Sequence, residues 1–200
     1  MNNPVNAVDP DGREVWLFAT KLPSNNKFIR GSPATHTFIV VKTSENKIYY
    51  YAYGPHNNKM YGDKLIRVQY KQDIRAYQDY FNGKTNNNIK KVIKIVPTKN
   101  INKDEFEKRV ISAADLYDNN DGYMKYSLLP LGSFEGNCHS SSSTLLYKAG
   151  VSQKELQSIK DKLPGIVTGF GNIKSWTKEE QEKEKSKIPA TNVIDQIKLR

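Results

Sequence analysis

The sequence contains few of the residues that cross-link or anchor a fold. Cys138 is the only cysteine among 200 residues, which excludes a disulfide within the chain. This cysteine and the three histidines lack C-x-x-C or H-x-x-x-H spacing, so neither a zinc site nor any cofactor is expected. No apolar stretch approaches the roughly 20 residues of a membrane-spanning helix, and no transmembrane segment is predicted. A G-x-S-x-G serine elbow and a complete Gly-rich phosphate loop are also missing.

Basic residues outnumber acidic ones, and the formal net charge is +10 at pH 7. The lysines are spread along the chain, and residues 179–185 interleave acids with lysines as a solvated helix does. A solvated surface explains most of this charge, while an acidic partner is the next interpretation. Nucleic acid is the least favoured partner, because the basic residues are scattered.

Strands are predicted in the first half of the chain. β-branched and aromatic residues dominate 35–42 and 47–53, and the turn residues between these segments predict a hairpin. Shorter apolar segments predict further strands at 15–19, 65–70 and 91–96.

Helices are predicted in the second half. Asn102 with Glu105, and Thr177 with Glu180, have the spacing of capping pairs, the second at the start of the charged tail. The order of strands, then a helix, then a further helix after Cys138 predicts an α+β fold with an antiparallel sheet packed on helices.

Cys138 follows the turn Gly136-Asn137 and begins a predicted helix that Gly150 closes. In the first turn, the helix dipole and unpaired N–H groups favour a thiolate and can bind an oxyanion. A lone cysteine is otherwise often a small buried apolar residue. Because polar residues follow it, we predict that Cys138 is a nucleophile.

A thiol nucleophile needs a base, and histidine is the usual one. His36 begins the strand 35–42 and is the predicted base, whereas His139 is expected beside or beneath the pocket. The group that orients the base stays open: His56, one of the tyrosines in 49–53, a backbone carbonyl, or a distant Asp or Asn. Asn137 is predicted to be a turn former or helix cap. The catalytic candidates are therefore Cys138 and His36, with His56 as the candidate third member.

The segments His36–Val41 and Asn137–Ser141 resemble the permuted branch of the papain-like superfamily, the NlpC-type and LRAT-like proteins. The resemblance covers about residues 33 to 150, and the order of histidine before cysteine is the reverse of papain. It implies a permuted papain-like fold with the His strand before the Cys helix. It also implies a thioester-forming reaction on an amide or ester: hydrolysis, deamidation or acyl transfer.

The segment NPVNAVDPDG resembles the end of the core of Rhs/YD-repeat proteins. It implies that residues 1–17 are a remnant of that core, with Met1 introduced by cloning. Residues 18–200 would then be a toxin domain with a charged helical tail, secreted as the tip of a larger bacterial protein and delivered into a target cell. An acidic immunity protein and a protein, peptide or lipid substrate are the implied partners. The alternatives are a basic nuclease toxin and a non-catalytic binding module.

Overall fold

A computed structural model describes residues 14–22, 34–57, 59, 61–96, 101–119, 124–130, 135–177, 179–180 and 182. The strands formed by these residues are β1 (Glu14–Lys21), β2 (Thr35–Lys42), β3 (Ile48–Pro55), β4 (Tyr61–Val68), β5 (Ile89–Ile95), β6 (Lys125–Ser127) and β7 (Glu135–Gly136). The helices are α1 (Lys71–Phe81), α2 (Lys103–Asp118), α3 (Cys138–Lys148) and α4 (Gln153–Lys160).

The strands form a seven-stranded sheet in the order β5-β1-β2-β3-β4-β6-β7. Neighbouring strands are antiparallel, except that the short β6 and β7 are parallel. The predicted α+β fold with a largely antiparallel sheet on helices is therefore confirmed. Within the part of the chain described, no helix is long and apolar enough to cross a bilayer.

Both faces of the sheet are covered. On one face Leu17, Ile39 and Tyr51 share a core with Phe106 of α2 and Leu145 of α3. On the other face an aromatic core includes Phe18, Phe38, Tyr50 and, from α1, Tyr77 and Phe81. Because β2 lies in the middle of the sheet, all of its residues except Lys42 are buried. This explains why Phe38–Val41 is a continuous apolar run and does not alternate with polar residues.

The structure differs from the predicted N-terminal boundary at residue 17. β1 begins at Glu14 and pairs with both β2 and β5, so residues 14–17 belong to the sheet and not to a leading segment. The remainder of the Rhs-like segment, residues 1–13, lies outside the described residues. Most of the charged tail also does, although the predicted pair of Thr177 and Glu180 is confirmed, with Glu180 N–H donating to Thr177 Oγ1 at 3.1 Å.

Candidate active site

Cys138 is the first residue of α3, and a reciprocal cap fixes its position. The Asn137 side chain accepts a hydrogen bond from the Ser140 N–H at 3.0 Å, and Asn137 N–H donates to Ser140 Oγ at 2.8 Å. The prediction that Asn137 is a helix cap is therefore confirmed. The cap leaves the first-turn N–H groups of Cys138 and His139 free of partners among the described residues. These are the groups that can receive an anion at a helix start.

Asn137 also ties α3 to the rest of the molecule. Its Nδ2 donates to the carbonyl oxygens of Leu128 and Thr168, each at 3.1 Å. The preceding Gly136 is tightly enclosed, since a Cβ there would lie 2.7 Å from Met124 Cε and 2.8 Å from Leu65 Cδ2. The Gly136-Asn137 turn therefore sets where the thiol sits, because Gly136 has little room for a side chain and Asn137 is hydrogen-bonded to two other segments.

His36 lies on the face of β2 that is covered by α1, where an acid meets it. His36 Nε2 is 3.0 Å from Asp73 Oδ2, and the two side chains are only 2% and 0% exposed. The two atoms are within hydrogen-bonding distance, but the ring N–H is not well aligned with that oxygen. The contact is therefore an ion pair. Asp73 thereby holds the position of the orienting group that the sequence left open.

Two hydroxyls hold the Asp73 carboxylate. Thr20 Oγ1 donates to Asp73 Oδ1 at 3.0 Å, and the Tyr50 hydroxyl donates to Oδ2 at 3.0 Å. Thr20 is the cross-strand partner of His36, which explains why both reach the same acid. Burial, and then the charge of Asp73, raise the pKa of Tyr50, so it remains a phenol that can donate.

The electrostatics of the site favour an imidazolium at His36. Burial alone would lower its pKa, but the negative charge of Asp73 and that of a thiolate at Cys138 raise it from 6.5 to about 10. The charge of Cys138 acts on the same ring as that of Asp73, so both groups lie close to the same imidazole. The structure therefore brings together the predicted pair, Cys138 and His36, although they come from different elements.

His139 has a different environment from His36. It is 3% exposed, and burial followed by the positive charge of His36 lowers its pKa to about 3, despite an opposing hydrogen bond with the Thr35 backbone. His139 is therefore neutral, and it lies beneath the site, one of the two places expected for it. Its Nδ1 is 3.2 Å from the Thr37 hydroxyl. Thr35 and Thr37 flank His36, so this ring fastens the Cys helix to the His strand.

Thr37 makes a second connection between these two elements. Its hydroxyl lies 3.2 Å from the Cys138 carbonyl oxygen and 3.1 Å from Ser142 Oγ. Ser140 to Ser143 are all buried, and Ser143 Oγ donates to the Ser140 carbonyl at 3.1 Å. In this serine run, Ser142 therefore contacts the His strand, whereas Ser140 and Ser143 form hydrogen bonds within the first turns of α3 and its cap.

His56, the candidate third member, does not join this cluster. It is exposed just after β3, where its backbone N–H donates to the Lys64 carbonyl at 2.9 Å. The orienting acid is Asp73, which lies in the first turn of α1, a helix that the sequence analysis missed. The sequence does contain a signal for this helix, because Ile74, Tyr77 and Phe81 recur at helical spacing after an acid that suits a helix start.

Comparisons with protein-family models, with curated proteins and with solved structures gave no match for this chain. The chemistry therefore rests on the geometry of the site. Among the described residues, no group of three or more His, Cys, Asp or Glu side chains is arranged to hold a metal ion. The site consists of the Cys138 thiol, the His36 imidazolium and the Asp73 carboxylate, in that spatial order.

Proposed function

We propose that this protein is an enzyme that forms a thioester on Cys138, with His36 as general acid and base and Asp73 as the orienting carboxylate. The observation that carries the proposal is the buried His36 ring, which contacts Asp73 on one side and interacts with Cys138. A buried cation between two anionic groups is what a thiolate–imidazolium pair requires. The hydroxyls of Thr20 and Tyr50 support the proposal, because each donates to one oxygen of that carboxylate and holds it in place.

In the first step the Cys138 sulfur forms a bond to a carbonyl carbon, and the electron pair of the C=O bond moves onto its oxygen. The free N–H groups of the first turn of α3 favour that oxyanion. When the C=O bond re-forms, the bond to the leaving nitrogen or oxygen breaks and the leaving atom takes the proton of His36. The products are an acyl thioester on Cys138 and a neutral imidazole.

In the second step the neutral His36 accepts a proton from water or from an acceptor hydroxyl or amine. The acceptor atom bonds to the thioester carbonyl carbon, and the Cys138 sulfur leaves as a thiolate, which restores the imidazolium. Water gives hydrolysis or deamidation, and another acceptor gives acyl transfer. Asp73 takes no proton in either step; it keeps the ring oriented and stabilises its charge.

We also propose the permuted papain-like arrangement for this fold and the role of a toxin tip for this chain. The first is supported by the chain order, since β2 with His36 precedes α3 with Cys138. The second is supported only by the Rhs-like segment, and with it come delivery into a target cell, an acidic immunity protein and a protein, peptide or lipid substrate. Loss of growth inhibition on changing Cys138→Ala in a bacterial host would support both the toxin role and the nucleophile.

The enzyme proposal is tested with p-nitrophenyl acetate, an activated ester that needs no substrate recognition. The wild-type protein should release a burst of p-nitrophenolate and carry an acetyl group on Cys138, detected by mass spectrometry of the digested protein. Cys138→Ala and His36→Ala should abolish the burst. His56→Ala is the matched control and should leave it intact. A burst that survives Cys138→Ala would refute the proposal.

The rate of alkylation by iodoacetamide distinguishes a reactive Cys138–His36 pair from the alternative functions. The thiol of a Cys138–His36 pair should react quickly near neutral pH, and His36→Ala should slow it far more than His139→Ala. A binding module with an inert thiol would react only after unfolding. A nuclease would cleave DNA or RNA and keep that activity in Cys138→Ala.

A further inference from the structure

A tyrosine that the mechanism above does not use stands against the catalytic histidine. Tyr70 is the N-cap residue of α1, three positions before Asp73, and its side chain makes no capping hydrogen bond. Its ring instead meets the His36 ring edge to face, with centroids 5.3 Å apart and planes at 83°. The same short segment of chain therefore supplies both the acid that orients His36 and an aromatic ring that packs against it.

The hydroxyl end of Tyr70 is held by a close approach to the sheet. A Cβ built on Gly54 would lie 2.4 Å from Tyr70 Oη and 3.4 Å from Cζ, so only glycine at position 54 leaves room for the hydroxyl. Yet this hydroxyl makes no hydrogen bond among the described residues, although Tyr50, also near Asp73, makes one. Tyr70 is half-buried, so its side chain is held in place but is not wholly enclosed by the protein.

The charge of Cys138 reaches this phenol. Burial, then Cys138 and Asp73, raise the pKa of Tyr70 to about 12. Tyr70 therefore keeps its proton throughout the pH range in which the thiolate acts. Because this phenol does not ionise, it can donate a hydrogen bond to an acceptor atom of a substrate that binds next to the nucleophile.

We propose that the Tyr70 hydroxyl contacts the substrate and donates a hydrogen bond to the oxygen of the carbonyl that Cys138 attacks. This inference rests on the proposed function. It adds a side-chain donor to the backbone N–H groups of the first turn of α3. The substrate class that suits such a site is a carbonyl compound whose oxygen becomes negative during the reaction, that is, an ester or amide.

The test compares two reactions of the same thiol. Acylation by p-nitrophenyl acetate passes through an oxyanion, whereas alkylation by iodoacetamide displaces iodide from carbon and forms none. Tyr70→Phe keeps the ring against His36 and removes only the hydroxyl. It should slow acylation about ten- to a hundred-fold, the range for one lost hydrogen bond to a charged group, and leave alkylation unchanged.

Gly54→Ala provides an independent measurement on the same hydroxyl. In the wild-type background the new Cβ must displace Tyr70 Oη, so acylation should fall as it does in Tyr70→Phe. In the Tyr70→Phe background the nearest remaining atoms are Val68 Cγ2 at 3.3 Å and the ring Cζ at 3.4 Å, so adding Gly54→Ala should have a much smaller further effect. This non-additivity is the signature of a direct pair.

Three results would overturn the inference. They are equal slowing of acylation and alkylation by Tyr70→Phe, no slowing of either, and equal effects of Gly54→Ala in both backgrounds. Each is distinguishable from failure of the proposed function, in which Cys138→Ala itself would retain the p-nitrophenolate burst.

Discussion

Asp73 is the residue on which the charge of the site depends. It is completely buried, and its two oxygens are shared by His36, Thr20 and Tyr50. A buried carboxylate is costly unless such partners compensate it. Asp73, with His36 as its ion-pair partner, therefore favours a positive charge on the ring that interacts with Cys138.

We expect Asp73→Asn to reduce the acylation rate by roughly 10²- to 10⁴-fold, as the loss of the orienting acid does in comparable triads. The shape of the side chain is kept, so the effect isolates the charge. Thr20→Val is the matched control, because it removes one hydrogen bond to the acid and leaves the ion pair, and its effect should be smaller. Stopped-flow acylation of both variants measures this. A larger loss in Thr20→Val would contradict the assignment.

The two buried histidines should give opposite pH dependences of stability. The pKa of His36 is raised from 6.5 to about 10, so its contribution to the free energy of unfolding is complete below 6.5 and is lost as the pH rises through about 10. The pKa of His139 is lowered from 6.5 to about 3, so its contribution is complete above 6.5 and is lost as the pH falls through about 3.

Urea unfolding across pH should therefore show stability declining on both sides of pH 6.5. Asp73→Asn should weaken the alkaline decline, because it removes the leading negative charge beside His36. His139→Ala should weaken the acidic decline. An alkaline decline that is identical in wild type and Asp73→Asn would show that His36 is not held as a cation by this acid.

At the scale of single elements, α3 and α4 begin with the same capping motif, but the two caps have different surroundings. Asn137 and Ser152 each form a reciprocal capping box. Asn137 is buried and also bonds the carbonyls of Leu128 and Thr168, whereas the box of Ser152 with Glu155 is exposed. The cap of the Cys helix therefore carries tertiary contacts that the other cap lacks.

Ser152→Ala should lower the free energy of unfolding by about 1 kcal/mol, the usual value of a lost cap. Asn137→Ala should lower it by about 2 kcal/mol or more, because the partly buried carbonyl oxygens of Leu128 and Thr168 each also lose a hydrogen bond. Asn137→Ala should in addition slow acylation, while Ser152→Ala should not. Equal changes in stability for the two variants would contradict the tertiary role of Asn137.

The elements that the sequence predicted well are those with a local signal. The strand at 35–42 and the cap at Asn102, whose side chain accepts from Glu105 N–H at 2.8 Å, are found as expected. β6 and β7, of three and two residues, are too short for any periodicity; β6 depends on pairing with β4, and β7 on pairing with β6. The same limit applies to the site, since Cys138 and His36 carry local signals but Asp73 becomes an orienting acid only through packing.

At the scale of the whole molecule, the chain has one tryptophan on each side of the sheet. Trp16 lies against Tyr80 and Phe81 of α1, with ring centroids 5.6 and 6.1 Å away. Trp176 is completely buried on the opposite face, beside Tyr53 and Tyr117. Because β2 is buried by both layers, we expect the two faces to unfold together.

Fluorescence of the single-tryptophan variants Trp16→Phe and Trp176→Phe tests this. Within each variant, the urea transition seen by the remaining tryptophan should coincide with the transition seen by circular dichroism, as two-state unfolding requires. Phe is used at both positions because it keeps an aromatic ring in each cluster. Separate transitions would show that one helical layer can detach without the other.

The contact between Thr37 and the Cys138 carbonyl joins residues that are 101 positions apart in the chain. Contacts of such long sequence separation form late, because the loop between them must be closed first. During synthesis, or during passage through any channel too narrow for a folded domain, His36 and Cys138 are therefore not yet in contact, because α3 has not packed against β2. On the proposed function, the protein is therefore inactive until the sheet and α3 have packed together, and recovery of acylation after dilution from urea should follow the slowest phase of refolding.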